Sequence, residues 1–412
     1  MFSMVYEDFI WLPAGSFKIL LNLGPIMCIN RAMDIVGNND ERVASRTGIG
    51  ERIRQVREQL QWTQQRLADE LGFASSQIVS SIESGQREVK AWELFRIAAL
   101  LHTPADWFLG TTELERPQVQ WRAKPGGDNV AELEARFLER CERYALLEKW
   151  CETPTFKELK PISLMAASPS FHVVGREAQN VREAMGLGIR PACTLEKTLE
   201  EDYGVKIFYE SLGEKGAGFS VCGPFGPAIL MNADNVPWRR NYSIAHELFH
   251  LLTPTGWQSP TCEKLADVFA SALLLPAEPL TDAIAARIQD GKLSYESLVE
   301  VACEFEVSID ALLWRLVNLG RLSRVDVERA LSLDSQLRRL DRISRPASPR
   351  PATGLPDRYV RLCYLSYRKG RIGRSKLAEL LETNLIDLSE QLDDEEAGNV
   401  EGAEAEIAVA GC

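Results

Sequence analysis

The stretch NYSIAHELFHLL at 241–252 is the feature that most constrains the fold of this chain. Only four histidines occur in 412 residues, and two of them, His246 and His250, stand four apart around Glu247. Residues four apart on a helix share one face, so one metal ion can reach both imidazoles. In the pattern HExxH two histidines bind zinc and the glutamate is the general base. The same pattern also occurs on ordinary amphipathic helices, where a histidine pair is a hydrogen-bonded part of the core.

A catalytic zinc needs a third protein ligand and an open position for water. The segment TCEKLADVFASALLLP at 261–276 predicts an apolar helix that ends at Pro276 and carries Glu263 and Asp267 on one face. Three segments before the histidines are β-branched or aromatic and bounded by Gly and Pro, which predicts strands. They are VKIFY (205–209), GFSVC (218–222) and PAILMN (227–232). We expect PAILMN to be an edge strand that can pair with an extended substrate.

The sequence EKLAD matches the ExxAD form in which gluzincin peptidases supply their third zinc ligand. Together HELFH, EKLAD and FASALLLP resemble the ImmA/IrrE family of zinc metallopeptidases over roughly residues 175–320. The resemblance implies His246, His250 and Glu263 as zinc ligands, Glu247 as general base and Asp267 as the acceptor that orients a ligand histidine. Family members cleave helix-turn-helix repressors. The resemblance therefore also implies a helix-turn-helix repressor as the protein substrate, or regulation of this chain's own N-terminal domain.

The segment from Ile49 to Gly110 predicts five short helices separated by polar turns. The apolar positions that mark them are Ile53, Val56 and Leu60; Leu67 and Leu71; Ile78, Val79 and Ile82; Trp92, Phe95, Ile97 and Leu100; and Trp107, Phe108 and Leu109. Within this segment, WTQQRLADELG followed by SSIESGQRE resembles the XRE (Cro/repressor-like) helix-turn-helix domain. In such domains the second helix of the motif enters the major groove of double-stranded DNA.

This second resemblance implies that Ser75, Ser76, Gln77 and Ser80 read bases and that Gln64 contacts the DNA backbone. By analogy it also implies a homodimer. The segment has seven basic residues and eight acids, whereas a domain that depends on phosphate contacts is usually basic. A helical bundle that binds only protein is therefore the alternative.

The remaining sequence predicts accessory segments. The apolar N-terminal stretch is interrupted by Pro13, Lys18 and Pro25, so we predict neither a membrane span nor a membrane partner. Nine cysteines without a CxxC pair favour reduced thiols and the cytoplasm. Between Arg338 and Lys376 twelve basic residues face two acids, and residues 377–412 hold eleven acids and no Lys or Arg. The basic block is either an auxiliary nucleic-acid or partner contact or a solvated face neutralised by the acidic tail.

The expected fold is mainly α with an α+β peptidase domain: a five-helix XRE-type bundle, then a gluzincin-like domain with a small three-stranded sheet and the HExxH helix. The predicted boundaries are a disordered or poorly packed extension (1–48), the helix-turn-helix domain (49–110), a helical connector (111–174), the peptidase domain (175–335), a Pro/Arg-rich linker (336–356), a small basic helical unit (357–391) and an acidic disordered tail (392–412). The functional alternatives to a DNA-binding zinc endopeptidase are a non-enzymatic transcription factor with a structural or sensing zinc domain, and an antitoxin-like interaction protein.

Overall fold

A computed structural model describes the chain at residues 39–110, 130–153, 155–162, 170–213, 216, 218–253, 261–289, 293–332, 335–345 and 354–388. The predictions for residues 1–38, for 111–129 and for the acidic tail 392–412 concern segments outside the described residues. The described part is mostly helical with one small mixed sheet, which confirms the predicted fold class.

Five helices form the N-terminal bundle, as predicted. They are α1 (Asn39–Gln59), α2 (Gln64–Leu71), α3 (Ser76–Glu83), α4 (Ala91–Leu100) and α5 (Ala105–Phe108). Helix α1 begins before the predicted domain boundary at Ile49. The side chain of Thr63 accepts a hydrogen bond from the Arg66 amide (3.0 Å) and so caps α2, which ends at Gly72 with φ +72°.

The predicted core of this bundle is correct at most positions, with exceptions on α4 and at Leu109, which is 55% exposed. Ile53, Val56 and Leu67 are fully buried, but Trp92 and Phe95 are 51% and 68% exposed. The apolar residues of α4 that face the core are Leu94, Ile97 and Ala98. They stand at positions i, i+3 and i+4 and therefore lie on one side of the helix. Large apolar side chains marked the helix correctly but its buried face wrongly.

A long helix, α6 (Val130–Cys151), joins the bundle to the rest of the chain. Ala135 on α6 belongs to the hydrophobic core of the N-terminal bundle. Phe137 and Tyr144 belong to a second core, which α6 shares with the outer face of the sheet and with the C-terminal helices. The predicted connector is therefore a packed element at both faces.

The sheet has the order β1-β3-β2, with β1 (Lys206–Glu210) parallel and β2 (Phe219–Gly223) antiparallel to β3 (Gly226–Asn232). All three predicted strands are confirmed within one residue. The prediction that PAILMN is an edge strand is wrong, because β3 lies in the centre. Its alternate residues are buried on both faces, Ile229 in one core and Leu230 in the other, as a central covered strand requires.

The remaining helices run from the connector to the C-terminus. They are α7 (Phe171–Ala184), a 3-10 turn (Pro191–Cys193), α8 (Leu195–Glu201), α9 (Pro237–Leu252), α10 (Cys262–Leu274), α11 (Ala277–Ala285), α12 (Tyr295–Glu304), α13 (Ile309–Asn318), α14 (Arg324–Ser332), α15 (Ser335–Ile343), α16 (Asp357–Arg368) and α17 (Arg374–Leu380). The last two of them pack in the outer core, whereas the earlier ones belong to the core on the inner face of the sheet. Helices α9 and α10 pack together over the inner face of the sheet. The two helices predicted to carry the metal site are therefore in contact.

Part of the predicted Pro/Arg-rich linker is helical. Residues 336–343 lie in α15, where Leu337 and Asp341 are buried because α15 packs against α12. The basic block after it is largely paired within the described residues. Arg358 contacts Glu148 of α6 (2.5 Å), and further pairs join Arg338 to Asp310, Arg361 to Glu201 and Arg371 to Glu152.

Candidate metal centre and helix-turn-helix surface

Helix α9 starts with Pro237 at its first turn, where a missing N–H costs nothing, and runs from the end of β3 across the inner face of the sheet. His246 is fully buried, whereas 24% of the His250 side chain is exposed. The ring centroids of the two histidines are 5.1 Å apart, and the imidazole Nε2 atoms approach to 3.2 Å. The i, i+4 spacing thus places both Nε2 atoms at one point on the helix surface.

Helix α10 supplies a third donor at that point. Glu263 lies on its first turn, with one carboxylate oxygen 3.2 Å from His246 Nε2 and the other 3.4 Å from His250 Nε2. Ligand atoms about 2.0–2.2 Å from a tetrahedral zinc lie roughly 3.3–3.6 Å apart. Two imidazole nitrogens and one carboxylate at these separations fit a zinc ion, and the set is the one predicted from the sequence: His246, His250 and Glu263.

The predicted orienting acid lies on the far side of the buried histidine. Asp267 Oδ1 is 3.0 Å from Nδ1 of His246. A proton shared on that side fixes the tautomer and leaves Nε2 as the ligand atom. The hydroxyl of Tyr242 donates to the backbone carbonyl of Asp267 (2.9 Å), so Tyr242 braces α9 against α10 at this level.

Glu247 is 98% buried between α9 and the sheet, and the hydroxyl of Ser220 on β2 donates to its carboxylate (3.0 Å). We did not predict Ser220 as a site residue. The signal was strand alternation: Phe219 and Val221 belong to the outer core, so Ser220 between them faces α9, level with its register partner Ile229. Helix α9 packs against β2, so the hydroxyl on that face meets the carboxylate of Glu247.

The centre is open on the side of α10. The Glu263 side chain is 53% exposed and that of Asp267 45%, in contrast to His246. Cys262 Sγ lies 3.9 Å from Nδ1 of His250, the nitrogen turned away from the donor set. Burial, together with the charge of Glu263, raises the pKa of the Cys262 thiol to about 11, so it is protonated near neutral pH.

The predicted base-reading residues lie together at the start of α3. Ser75 is the residue that precedes the helix, with extended backbone, Gln77 and Ser80 are exposed, and Ser76 is half-buried. Gln64 is engaged elsewhere, because its amide donates to the buried carboxylate of Glu83 (2.8 Å). The structure therefore groups four of the five predicted DNA contacts on one exposed helix end.

Glu83 anchors a buried ion pair beneath that surface. Its carboxylate accepts from Nε of Arg57 on α1 (2.6 Å), and this hydrogen bond raises the pKa of the Arg57 guanidinium further. The same guanidinium donates to the carbonyl of Trp62 (2.7 Å). These contacts tie α1, α2 and α3 together, which holds the exposed end of α3 in a fixed orientation.

Over the described residues no single helix combines the length and the apolar character needed to cross a membrane; α10 and α11 reach it only as a pair bent by 60°. The seven cysteines in the described part of the chain are all free.

Comparisons with known proteins identify two domains in the predicted order. Residues 50–114 match the family model of a helix-turn-helix domain, and residues 200–317 match that of the IrrE N-terminal-like domain of the peptidase M78 family. No curated protein matches the chain.

Two solved structures align with much of the chain at low identity. The crystal structure of Bacillus thuringiensis PlcR in complex with the peptide PapR7 and DNA is 14% identical, covers 87% of this chain and 98% of its own, and has a TM-score of 0.15. ComR from Streptococcus suis is 12% identical, with 85% and 94% covered and a TM-score of 0.14. Similarity at these TM-scores carries no argument about this chain.

Proposed function

We propose that this chain, in which a helix-turn-helix domain precedes an IrrE N-terminal-like domain, is a cytoplasmic DNA-binding transcriptional regulator with a zinc-dependent endopeptidase centre. The observation that carries the proposal is the donor set of His246, His250 and Glu263, whose facing atoms lie 3.2–3.4 Å apart. Glu247 stands next to His246 in the chain and is buried, which a purely structural zinc site would not require.

A zinc ion in this site would polarise the scissile carbonyl and lower the pKa of water. The carboxylate of Glu247 takes a proton from the attacking water and passes it to the leaving amine nitrogen. The hydroxyl of Ser220 donates to one oxygen of that carboxylate and so helps to hold it in position. Asp267 keeps the Nδ1 proton of His246 in place so that Nε2 faces the donor set.

The proposed substrate is an extended segment of a protein, and a helix-turn-helix repressor is the class we favour. Strand β2 stands at the end of the sheet order and carries Ser220, the residue that contacts Glu247. The backbone of an edge strand can pair with an extended peptide and lay it along the site. The attached helix-turn-helix domain would bring the centre to DNA, where repressors are bound.

Glu247→Gln tests the peptidase function. This variant keeps the shape and the zinc ligands but loses the base, so we expect cleavage to fall by roughly 10²–10⁴-fold while zinc content stays at the wild-type level. The measurement is labelling of new protein N-termini in a cell extract incubated with wild-type protein, with Glu247→Gln, or with Glu278→Gln. Glu278 is exposed on α11, and its variant is the matched control.

The same experiment separates the alternatives. New N-termini with wild type and Glu278→Gln but not with Glu247→Gln support the enzyme. Identical N-termini in all three, with zinc bound, would refute it and favour a transcription factor whose zinc is structural or sensory. Zinc-bound protein that captures a partner and shifts no DNA would favour the antitoxin-like interaction protein.

DNA binding is tested at the exposed end of α3. A preferred site is first selected from random duplexes with wild-type protein. Gln77→Ala is then expected to lose about 1–3 kcal/mol of affinity for that site, because one direct base contact is worth about that much. Gln65→Ala is the control, since Gln65 is exposed on α2 and bonds to Asp69 within its own helix. Equal affinities for both variants would remove Gln77 from the base-reading set.

A further inference from the structure

A cavity of about 620 Å³ continues the groove between α9 and α10 beyond the metal centre. Helices α9 and α10 run antiparallel along the groove, so their residues face each other in pairs. His250 lies opposite Glu263, His246 lies opposite Asp267, and Tyr242 contacts the backbone of Asp267. The cavity begins at the level of Tyr242, and residues of α13 line its other side. Asp267 lines the cavity and also lies beside the metal centre, but none of the three proposed zinc ligands lines the cavity.

Ser271 provides a polar group that the protein itself does not satisfy. The residue is 94% buried on α10, lines the cavity, and its hydroxyl has no hydrogen-bond partner among the residues that the structure describes. A buried hydroxyl without a partner is costly, and it is uncommon in native proteins unless something else completes it. Ser271 lines the cavity although its Oγ atom is itself covered, so a rotation about χ1 would present the hydroxyl to a ligand bound there.

The walls determine what kind of partner fits. Trp238, Tyr242 and Trp314 contribute three aromatic rings. The guanidinium of Arg345 lies 4.4 Å from the ring centroid of Trp238, and that of Arg324 lies 5.6 Å from the ring of Trp314. These contacts restrain two of the three rings, and flat aromatic groups stack favourably on aromatic rings that are already held in place.

The charges at the cavity select against an anion. The carboxylates of Asp267 and Asp310 line it together with the exposed guanidinium of Arg239, and Asp310 is paired with Arg338 (2.9 Å). Aromatic faces carry negative potential, which adds to that of the carboxylates. A carboxylate or phosphate in the cavity would meet these two carboxylates, with Arg239 as the one cationic side chain among the lining residues.

We propose that this cavity binds a small planar aromatic compound, uncharged or cationic, whose polar group hydrogen-bonds to Ser271. The ligand contacts the same aspartate that orients His246, which places the site where an effector would act on the metal centre. The binding site does not depend on the peptidase activity.

Three probes of one size test it: benzamidine (cationic), benzamide (uncharged) and benzoate (anionic). For fragments this small we expect dissociation constants of roughly 1 mM for benzamidine and benzamide, measured by ligand-observed NMR with tryptophan fluorescence in parallel. Ser271→Ala should weaken both by roughly five- to tenfold, the effect of one hydrogen bond. Ala311→Leu, which fills the cavity from α13, should abolish binding. Ser297→Ala on α12 lies outside the cavity and is the matched control.

The outcomes separate this proposal from the enzymatic one. Full-length Glu247→Gln should bind the probes as wild type does, so a failed peptidase assay leaves the cavity test standing. The proposal is overturned if benzamidine and benzamide fail to bind at millimolar concentration, or if both bind Ala311→Leu undiminished. It is also overturned if benzoate binds as tightly as benzamidine and loses that binding in Ala311→Leu. Benzoate binding that survives in Ala311→Leu is instead binding at the metal centre, and this result supports the exclusion of anions from the cavity.

Discussion

His246 and His250 share one face of α9 but differ in burial, and the difference assigns them different parts. His246 is fully enclosed and held from both sides, by Asp267 at Nδ1 and by the donor set at Nε2. His250 is partly exposed and lies nearer the open side with Glu263. The buried histidine therefore fixes the geometry, and the other two donors complete the site from the solvent side.

Removing a donor should remove the metal. We expect one zinc per chain in wild-type protein and none after dialysis of His246→Ala or Glu263→Ala, because two remaining ligands hold zinc too weakly. His172→Ala is the matched control, since His172 is exposed on α7 outside the centre and should keep full zinc. Plasma mass spectrometry of untagged protein measures the content. Stoichiometric zinc in both ligand variants would show that the ion binds elsewhere.

Asp267 should tune the metal without being essential to it. Asp267→Asn keeps the side-chain shape but removes the charge that raises the basicity of His246, so zinc affinity should fall by about 10–100-fold. Competition with a fluorescent chelator measures the affinity. Asp282→Asn, at an exposed position on α11, should bind zinc as wild type does. An unchanged affinity in Asp267→Asn would mean that the contact at Nδ1 has no influence on the ligand.

At the residue scale the sequence predicts the donor set because its spacing is local. His246, Glu247 and His250 lie within one helix turn and a half, and Glu263 starts the next helix, so helical geometry alone brings them together once the two helices pack. Ser220 lies on a strand 27 residues from Glu247, and its contact depends on which side of the sheet α9 covers. That choice is made by tertiary packing, which no local pattern contains.

At the scale of elements, α1 and α3 approach each other as closely as backbone permits. A Cβ added at Gly50 would lie 2.3 Å from the carbonyl oxygen of Ile82 and 2.7 Å from that of Glu83. The glycine thus sets the distance between the helix that carries Arg57 and the helix that carries the exposed Gln77. Close packing here keeps the Arg57–Glu83 pair together.

Gly50→Ala should therefore destabilise the bundle. Backbone cannot yield as a flexible side chain does, so we expect a loss of about 1–3 kcal/mol in unfolding free energy, the usual range for overpacking. Gly48→Ala is the control on the same helix: nothing lies within 4 Å of its added Cβ, so a gain of up to about 1 kcal/mol is expected from helix propensity. Hydrogen exchange of full-length protein, read on peptides from α1–α3, resolves the two. Equal protection in both variants would contradict the close approach.

The strand and helix predictions show where local patterns stop. Alternation and Gly or Pro boundaries locate β1, β2 and β3 within one residue, but the order of strands depends on pairing between segments. PAILMN is central because β1 and β2 flank it, which its own residues do not specify. The same limit applies to α4, whose buried face the prediction placed on the wrong side of the helix. Trp92 and Phe95 are apolar but face solvent, because Leu94 and Ile97 meet the core.

At the scale of the whole molecule, α6 is the element that links the two domains. One face carries Ala135 into the core of the helix-turn-helix bundle, and the opposite face carries Phe137 and Tyr144 against the sheet. The basic block contributes to the same arrangement, since Arg358 pairs with Glu148 on α6. Much of its charge is therefore paired inside the molecule. This differs from both alternatives predicted from the sequence, which were an auxiliary nucleic-acid or partner contact and a solvated face neutralised by the acidic tail.

Polar contacts complete the docking of the bundle on α6. Glu132 accepts from the indole of Trp62 (3.2 Å) and from Arg66 (2.8 Å), and Glu139 lies 2.6 Å from Nδ1 of His102. Burial alone would raise the pKa of Glu139, but the hydrogen bond with His102 and the charge of a neighbouring arginine hold it below the ordinary value. The contribution of Glu139 is therefore present above the ordinary carboxyl pKa and is lost as pH falls through the lowered one.

The double variant Glu132→Ala, Glu139→Ala should release the bundle from α6 without unfolding the peptidase domain. Each lost contact involves a charged hydrogen bond at a partly exposed site, so we expect about 1–2 kcal/mol of docking free energy from each. Differential scanning calorimetry should then show the bundle melting separately and earlier, while zinc content stays at one per chain. Glu278→Ala on α11 should leave the wild-type profile. If the double variant also keeps that profile, the apolar contacts of Ala135 and its neighbours are enough to hold the two domains together. The polar pairs then add only specificity to an interface that apolar packing already forms.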